Sequence, residues 1–398
     1  MKVGIVGCGY VASMYAKTAA VHQDLALGQA FDVNPDRLKR FCDRYGCVGA
    51  ASLEDLLSDE TIGLVLNLTN PRDHYDVTRA CLEAGKHVYT EKPISMETAS
   101  SRDLMEMAQA RGLRIGCAPC GVLGNTAQTI WRALQDGVIG KVRLVYANYD
   151  DGMIAPVMQP WTWLNDLDVP WPAKDEFEVG CTYEHAGYFL TWLNAFFGPA
   201  RTMTAFSSCQ VPDKGIEVDS MAPDFSVGCI EYDDGVVARV TCGLVAPRDK
   251  SLMIVGDEGY LFVNYLRNDH EPVYLRRYKP SRTVQRIENR IGRLRARAPW
   301  LTSWLPWPVK EFLLYEKLPF ALPVSTTSVS HHKRVDFMLG PLDMVRAIQE
   351  NRPHRLGFDF GLHVFEQVER LQYPDRFDGE KRLTTSFEPF DPLPLIQE

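Results

Sequence analysis

A glutamate and a lysine follow directly on a short apolar run in the stretch HVYTEKPIS, residues 87–95. Glu91 and Lys92 precede Pro93, and a proline restricts the residue before it to extended backbone. We therefore expect the Lys92 side chain to have a fixed direction at the end of a strand. A lysine held there can lower the pKa of a neighbouring acid, because an opposite charge favours the ionised form.

A glycine-rich motif, GCGYVA, lies between the first apolar run and an amphipathic segment. Gly7 permits a tight turn, Gly9 lets the backbone approach a pyrophosphate, and Ala12 allows close helix packing. Asp32 ends the next strand, where a carboxylate can accept hydrogen bonds from both adenosine ribose hydroxyls. The pattern predicts NAD as the cofactor, and Arg37 is near enough to leave NADP open.

The elements that must position these residues change along the chain. From residue 1 to about 120, apolar strands alternate with amphipathic helices, as in a parallel doubly wound sheet. From about 140, strands follow one another through Asp-Asp-Gly and Asp-Glu-Gly turns, which is typical of antiparallel ribbons. We predict a Rossmann dinucleotide-binding domain over 1–122 and an α+β domain over 123–398. The second domain is expected to contain a large, mostly antiparallel open sheet, with helices at 340–373.

Composition excludes several classes of function. The chain has 398 residues, 45% of them hydrophobic, and a formal net charge of -8, which disfavours nucleic-acid binding. No segment is apolar over the roughly 18 residues that a membrane span needs. Ten cysteines without a secretory signal are expected to be reduced thiols of a cytoplasmic protein. Cys117 and Cys120 lack a second pair at zinc spacing, so we expect no metal site.

Together these motifs resemble the Gfo/Idh/MocA family of nicotinamide-dependent oxidoreductases, which act mostly on sugars, cyclitols and their derivatives. The resemblance rests on GIVGCGYVA, the acidic strand end at Asp32, NLTNPRDHY and YTEKPIS, and it continues in VGCTYEHAGYFLTWLNAFFGPA. It implies that Lys92 contacts the nicotinamide ribose and the reacting hydroxyl, while Glu91 holds the strand end. The other cofactor contacts that it implies are Gly7, Gly9, Tyr10, Val11, Ala12, Asp32, Thr69, Asn70, Pro71 and His74.

The expected catalytic base departs from the family's common pattern. Where the family often has D-x-G-x-H, Glu184 takes the aspartate position and Tyr188 the histidine position, as in branches that use tyrosine. Ionising a sugar hydroxyl of pKa about 13 near pH 7 costs about 8 kcal/mol, which the active site and the loss of the hydride must offset. Our hypothesis is a catalytic pair of Lys92 and Tyr188, with Glu184 or His185 as polar support. His185 is the alternative base, and a buried structural histidine is an equal interpretation.

Substrate contacts are predicted from a tryptophan-rich loop. Trp161 and Trp163 lie among carboxylates, a combination that suits the apolar faces and hydroxyls of a sugar ring. The alternative is that they close the core or an oligomer contact. Asn125, in APCGVLGNTAQT, belongs to the resemblance to the tyrosine-containing branch and is added as a substrate contact.

A basic segment rich in arginine and tryptophan, at about 276–325, is interpreted as an insertion. Arg286, Arg290, Arg293 and Arg297 recur at helical spacing and form one basic face. Three interpretations stay open, namely a solvated or subunit-contacting face, an anionic ligand, and a membrane surface. His363 is expected to serve packing, and no metal site is expected at the pair His331–His332.

These observations predict an NAD-dependent enzyme that moves a hydride between a carbohydrate carbinol carbon and the nicotinamide. The resemblance also admits a redox-neutral glycosidase that oxidises the sugar transiently, eliminates a substituent and returns the hydride. A non-catalytic NAD-binding sensor is the alternative from another class. A homodimer or homotetramer is expected from the resemblance alone, with neither nucleic acid nor membrane as a partner.

Overall fold

The structure, a computed structural model, describes residues 1–22, 24–279, 282–297, 300, 315–323 and 335–394. Within those ranges the chain forms two β-sheets with helices packed against them. The pair His331–His332 and part of the predicted basic insertion lie outside the described residues.

The first sheet has six strands, and every pair of neighbours is parallel. Its strands are β1 (Lys2–Val6), β2 (Ala26–Phe31), β3 (Val48–Gly49), β4 (Ile62–Asn67), β5 (His87–Thr90) and β6 (Ile115–Cys117). The spatial order is β3-β2-β1-β4-β5-β6, so the direction of winding reverses between β1 and β4. Open α/β sheets bind ligands at such a reversal, beside the carboxyl ends of the strands. The predicted doubly wound sheet is confirmed.

Helices alternate with these strands in the described part of the chain. They are α1 (Ala12–Ala19), α2 (Pro35–Tyr45), α3 (Leu53–Ser58), α4 (His74–Glu83) and α5 (Thr98–Ala110). The boundaries of α2 follow from its sequence. Asn34 accepts a hydrogen bond from the Arg37 N–H (3.0 Å), Pro35 is the first helical residue, and Gly46 ends the helix with φ of 72°.

The second sheet has eight strands in the described residues. They are β7 (Val142–Asp150), β8 (Ala200–Ser208), β9 (Phe225–Tyr232), β10 (Val237–Gly243), β11 (Leu252–Gly256), β12 (Gly259–Val263), β13 (Tyr274–Arg277) and β14 (Glu316–Lys317). The spatial order is β14-β13-β12-β11-β7-β10-β9-β8, and β7 with β10 is the parallel pair among antiparallel ones. The prediction of a mostly antiparallel sheet is therefore confirmed.

One face of this second sheet is covered and the other is open. Along β9, residues toward the helices are buried, whereas Cys229 and Glu231 on the other face are exposed. The helices of this part are α6 (Asn125–Gln135), α7 (Ala173–Val179), α8 (Cys181–His185), α9 (Gly187–Phe197), α10 (Arg282–Arg297), α11 (Leu339–Gln349) and α12 (Phe358–Gln372). An open sheet is thus present, and the oligomer expected on it stays a prediction.

Helix α12 joins the two parts of the molecule. It packs against α5 and β6 of the first part and against α8, α9 and β8 of the second. His363 on α12 is fully buried, and its Nε2 accepts a hydrogen bond from the Ala200 N–H (2.9 Å). The prediction that His363 serves packing is therefore confirmed, whereas the domain boundary at residue 122 stays a prediction.

The basic segment is helical where the structure describes it. The side chains of Arg286, Arg290, Arg293 and Arg297 on α10 are exposed to solvent. The choice among a solvated face, an anionic ligand and a membrane surface stays open. In the described ranges, no helix is both long enough and apolar enough to cross a bilayer.

Candidate active site

A cavity of about 270 Å³ lies at the carboxyl ends of β1, β4 and β5, between the first sheet and the second part of the chain. Residues from both parts line it. Those from the first part include Gly9, Tyr10, Val11, Thr69, Asn70, Pro71, His74, Glu91 and Lys92. Those from the second part include Trp163, Trp171, Glu176, Glu184, His185, Tyr188 and Arg267.

The loop between β1 and α1 has the geometry that a dinucleotide needs. Gly7 has φ of 91°, and a Cβ there would lie 2.6 Å from the Leu68 carbonyl oxygen. At Gly9, a Cβ would meet no atom within 4 Å, because the position faces open space. Backbone can therefore approach a pyrophosphate at Gly9, in front of the helix that starts at Ala12. The predicted roles of these residues fit the loop.

Asp32 at the end of β2 faces this loop and has little exposure. Its Oδ2 accepts a hydrogen bond from the Cys8 N–H (2.8 Å), and its Oδ1 accepts one from the Asn34 N–H (2.8 Å). Each carboxylate oxygen can accept a second bond, so both remain able to accept ribose hydroxyls. Arg37 Nη1 lies 3.5 Å from Oδ2. The site thus fits NAD, and the nearby guanidinium leaves NADP open as predicted.

The segment after β4 forms the wall of the cavity at Thr69, Asn70 and Pro71. His74 lies behind it and is fully buried. Its Nδ1 lies 2.5 Å from the Pro93 carbonyl oxygen, and its Nε2 lies 3.0 Å from the Thr69 carbonyl oxygen. Burial lowers the pKa of His74, so the neutral ring donates to one of these carbonyls at a time. His74 therefore connects the two loops that form the cavity, which is a positioning role.

Glu91 holds the end of β5, as the resemblance implies. The Tyr15 hydroxyl donates to Glu91 Oε1 (2.7 Å), and the Lys92 N–H donates to Oε2 (3.1 Å). The Glu91 N–H in turn donates to the Asn67 carbonyl oxygen (2.9 Å). Because α1 and β4 both contact this residue, the backbone that carries Lys92 is fixed.

Lys92 forms an ion pair with Glu184 across the cavity. The Lys92 Nζ contacts Glu184 Oε2, and the two side chains are 20% and 3% exposed. Burial alone would lower the pKa of Lys92, but the charge of Glu184 outweighs it and raises that pKa above its ordinary value. The same ammonium keeps the pKa of Glu184 below its ordinary value, against the effect of burial. Lys92 is therefore a permanent cation at neutral pH.

A second carboxyl group, Glu176 on α7, lines the same cavity. The other oxygen of Glu184, Oε1, is buried and has no hydrogen-bond partner among the described residues. Burial and the charge of Glu184 raise the pKa of Glu176 well above its ordinary value. Glu176 therefore keeps its proton and can donate it in a hydrogen bond to Glu184. The sequence analysis missed Glu176, whose signal was a glutamate two turns before Glu184 in the same acidic stretch.

Tyr188 lies in the cavity within an aromatic and cationic cluster. Its ring stacks on Tyr149 with centroids 5.2 Å apart, and the Arg267 guanidinium lies 4.9 Å from its centroid. Burial raises the pKa of Tyr188, and the charges of Arg267 and Lys92 act in the opposite direction. The net effect is a raised pKa, and the pairing of Lys92 with Tyr188 in catalysis stays a prediction. The ion-pair partner of Lys92 is Glu184, and the cation on the tyrosine ring is Arg267, which the sequence analysis missed.

His185 is a weak candidate for a base. Its ring stacks on Tyr149 (centroids 4.8 Å apart), and its Nε2 lies 3.6 Å from Asp151 Oδ2, which is longer than a hydrogen bond. Asp151 is held instead by Lys250 Nζ, at 2.6 Å. Burial lowers the pKa of His185 to about 3, so its ring stays neutral and accepts a proton poorly.

The predicted substrate residues divide into two groups. Trp163 lines the cavity beside Trp171, with ring centroids 5.6 Å apart. Trp161 is not among the cavity-lining residues, and its indole faces Gly215 in the second part. Asn125 is also placed elsewhere, because its Nδ2 donates to the Leu322 carbonyl (2.7 Å) and its Oδ1 accepts from the Leu322 N–H (3.0 Å). The structure thus brings Trp163 to the cavity but neither Trp161 nor Asn125, and their substrate contacts stay predictions.

The two cysteines that the sequence analysis singled out are free thiols. In the described ranges, no three side chains among His, Cys, Asp and Glu gather as metal ligands would.

Comparison with known proteins places both parts of the chain in one family. Residues 1–118 match the GFO/IDH/MocA oxidoreductase family, NAD-binding Rossmann fold, and residues 127–262 match the GFO/IDH/MocA C-terminal domain. An uncharacterised oxidoreductase of Synechocystis is 23% identical over 300 residues, which cover 69% of this chain and 76% of that protein. Myo-inositol 2-dehydrogenase of Thermotoga maritima is 25% identical over 142 residues, which cover 35% of this chain and 42% of the dehydrogenase.

Solved structures share the whole architecture. The WlbA dehydrogenase of Bordetella pertussis, in complex with NADH and UDP-GlcNAcA, superposes with a TM-score of 0.68 at 16% identity, and the alignment covers 98% of each chain. At this identity the likeness shows the fold. Together with the two family matches, it shows that the chain belongs to the GFO/IDH/MocA family of oxidoreductases and has its NAD-binding Rossmann fold.

Proposed function

We propose that the protein transfers a hydride between NAD and the carbinol carbon of a carbohydrate or cyclitol. The observation that carries the proposal is the shared cavity, in which Lys92 from the first part meets Tyr188 from the second, next to the open space at Gly9. NAD, when bound, supplies the hydride acceptor. The names of the relatives, among them inositol dehydrogenases, support a polyhydroxylated substrate.

In this proposal Lys92 and Tyr188 handle the proton of the reacting hydroxyl. Ionising an ordinary tyrosine at pH 7 costs about 4 kcal/mol, since its pKa is about 10. Burial of Tyr188 adds to that cost, whereas the charges of Arg267 and Lys92 reduce it. The net pKa of Tyr188 is raised, so burial outweighs the two cations, and the phenolate forms together with loss of the hydride from the substrate. Lys92 donates a hydrogen bond to the developing alkoxide while Tyr188 accepts the proton.

Glu184 and His74 act as positioning residues. Glu184 holds the Lys92 ammonium, and His74 connects the loops at Thr69 and Pro93. Trp163 and Trp171 offer apolar faces to the ring of a sugar on the same side of the cavity. The substrate would thus be enclosed by aromatic rings and oriented by charged donors.

The test is turnover of NAD with a panel of sugars, cyclitols and glycosides, followed by nicotinamide absorbance. Tyr188→Phe should lower kcat by about 100-fold or more, as loss of a general base does. The affinity of this variant for NADH should change by less than about twofold, because the Tyr188 hydroxyl takes part in proton transfer and not in cofactor binding. Tyr260→Phe is the matched control, since that hydroxyl bonds the Tyr315 hydroxyl in the second sheet and does not line the cavity. Full activity of Tyr188→Phe would overturn the proposed role.

A second function, the redox-neutral glycosidase, is favoured by one observation. Glu176 keeps its proton beside the cavity, and a neutral carboxylic acid can protonate the oxygen of a departing aglycone. In that reaction the hydride returns to the sugar, so aglycone release requires NAD but leaves no net NADH. Measuring aglycone and NADH in the same sample separates the two functions, and Glu176→Gln should abolish aglycone release alone.

A further inference from the structure

Arg267 is the charged group of the cavity that lacks a partner. It follows β12 in the second part of the chain and lines the cavity together with Tyr188 and Lys92. Its guanidinium lies over the Tyr188 ring, at 4.9 Å from the centroid. It forms no hydrogen bond or ion pair with any residue that the structure describes. An arginine has five N–H donors, and those of Arg267 are not used by any hydrogen bond to the described residues.

The other charged groups that line the cavity have partners. Lys92 and Glu184 form an ion pair. Glu91 accepts hydrogen bonds from the Tyr15 hydroxyl and the Lys92 N–H. Glu176 is neutral, because burial and the nearby Glu184 raise its pKa. Arg267 therefore pairs with none of these carboxylates. The carboxylate that helps to raise its pKa is Asp151, which does not line the cavity and is held by Lys250 Nζ at 2.6 Å.

Burying a guanidinium without a partner is unfavourable, since removing an ion from water costs several kcal/mol. The cation–π contact with Tyr188 offsets a part of this cost. A planar fork of N–H donors pairs best with the two oxygens of a carboxylate or phosphate. Such a group on the ligand would complete the site.

The position of Arg267 indicates which ligand this is. The pyrophosphate of a dinucleotide belongs at the Gly9 loop of the first part, whereas Arg267 comes from the second part and contacts the ring of Tyr188. A group bound by Arg267 is therefore beside the reacting hydroxyl, where the substrate lies in the proposed function.

We propose that Arg267 binds a carboxylate or phosphate of the substrate, so that this enzyme prefers acidic carbohydrates to neutral ones. The inference rests on the proposed function, because it identifies the substrate class of the same cavity. Arg267 would fix the orientation of the sugar through its acidic group, while Lys92 and Tyr188 act on the hydroxyl.

The test compares matched substrates, namely a neutral sugar, its uronic acid, the amide of that acid, a sugar phosphate and a nucleotide sugar. The wild-type protein should show a kcat/KM for one acidic member that exceeds that of its neutral counterpart by about 10- to 100-fold. Arg267→Met should reduce this ratio to about one. It should also lower kcat/KM for the neutral sugar, because it removes a cation from the Tyr188 ring, but the loss on the acidic substrate should be larger by the factor of the wild-type preference. The uronic acid and phosphate arms show which anion is recognised.

Arg248→Met is the matched control. Arg248 is 54% exposed in its side chain, lies 3.6 Å from Asp151, and does not line the cavity. It should leave the preference for acids unchanged. NADH binding, followed by nicotinamide fluorescence, should be the same in both variants and the wild type, which shows that they are folded.

Three results would overturn the inference. The first is a wild-type preference for neutral sugars, which leaves the proposed hydride transfer intact. The second is an equal loss of kcat/KM on neutral and acidic substrates in Arg267→Met, which would mean that Arg267 acts on Tyr188 and does not bind an anion. The third is weaker NADH binding in that variant by about tenfold or more, which assigns Arg267 to the cofactor. Calorimetric titration of the acids into NADH-saturated protein gives the same comparison without turnover, so it separates failure of this inference from failure of the proposed function.

Discussion

Removing the carboxyl groups near Lys92 should change both the stability of the protein and the dependence of that stability on pH. Glu184→Gln keeps the shape of the side chain but removes its charge. Glu176 lies next to Glu184 and can then ionise in its place, so the double variant Glu176→Gln/Glu184→Gln is needed to leave the buried ammonium without its two nearest carboxyls. The single variant should lose less stability than the double variant.

The magnitude follows from burial. Glu184 is 3% exposed and Lys92 is 20% exposed in their side chains, so the pair belongs to the buried class. Removing one partner of such a pair costs about 3–5 kcal/mol, because a charge is left without compensation. At 1.36 kcal/mol per pKa unit, this loss corresponds to a displacement of the Lys92 pKa by about two to four pH units below that of the native protein.

The size of the stability difference, and the pH at which it narrows, distinguish the two proteins. In the native protein the pKa of Lys92 is raised, so its contribution to stability is fully present below the unfolded pKa of about 10.4. Between pH 7 and 9 the native protein should show no change in stability from this group. In the double variant the folded pKa falls back towards the unfolded value, so the difference in stability between the two proteins should be constant between pH 7 and 9. It should narrow only above about pH 10.4, where the native protein loses the contribution of Lys92.

Chemical denaturation at several pH values measures this difference. Glu83→Gln is the control, because Glu83 pairs with Arg79 at 3.1 Å on an exposed helix surface. Exposed pairs contribute about 0.5 kcal/mol or less, and the control should show no pH trend of its own in this window. A double variant with native stability and the native pH dependence would refute the argument that a buried charge depends on these carboxyls.

Other positions give sharper tests of the cofactor site and the base. Asp32→Ala should weaken NAD binding by about tenfold or more and NADP binding less, as measured by fluorescence titration, and equal losses would contradict the proposed ribose contact. Gly7→Ala should lower the unfolding temperature, because its φ is 91° and its Cβ would meet the Leu68 carbonyl oxygen at 2.6 Å. Gly9→Ala should leave the unfolding temperature unchanged, because the added Cβ would meet no atom within 4 Å, but it should weaken NADH binding. An unchanged affinity for NADH would mean that the pyrophosphate does not bind at Gly9. His185→Asn should retain the shape of the pH profile of kcat/KM between pH 5 and 8, because burial lowers the His185 pKa to about 3 and the ring is neutral throughout; loss of a limb of the profile would make His185 the base.

Local patterns sufficed for much of the fold and for the cofactor loop. The alternation of strands and helices predicted the first sheet, and the motif at Gly7 and Gly9 predicted a loop whose geometry the structure confirms. Lys92 was placed correctly at the end of β5, because parallel strands end at one edge of the sheet. These inferences needed only neighbours in sequence.

Contacts between distant segments were harder to predict. The meeting of Lys92 with Glu184 joins residues 92 positions apart, and neither helix periodicity nor spacing specifies it. Arg267 stands in a connection after β12, where nothing in the local sequence separates it from other surface arginines. Trp161 was predicted to contact a sugar because of its aromatic ring and the carboxylates near it in sequence, whereas in the fold its indole lies against Gly215. Burial, and not residue type, decides which of these side chains reach the cavity.

Transfer of deuterium from a carbohydrate to the nicotinamide shows whether the protein catalyses hydride transfer. The purified protein is incubated with NAD and a panel of carbohydrates, neutral and acidic, that carry deuterium at their carbinol carbons, and the nicotinamide is recovered for mass spectrometry. We expect the wild-type protein to place deuterium in the nicotinamide with at least one carbohydrate, and Lys92→Ala to place little or none there. Net oxidation leaves the deuterium in the NADH that accumulates. A transient oxidation returns it to the sugar and holds it on the nicotinamide only while the oxidised intermediate is bound, so the sample is quenched during turnover with enzyme and NAD at equal concentrations. Nicotinamide that stays free of deuterium with every carbohydrate would contradict hydride transfer at Lys92 and Tyr188.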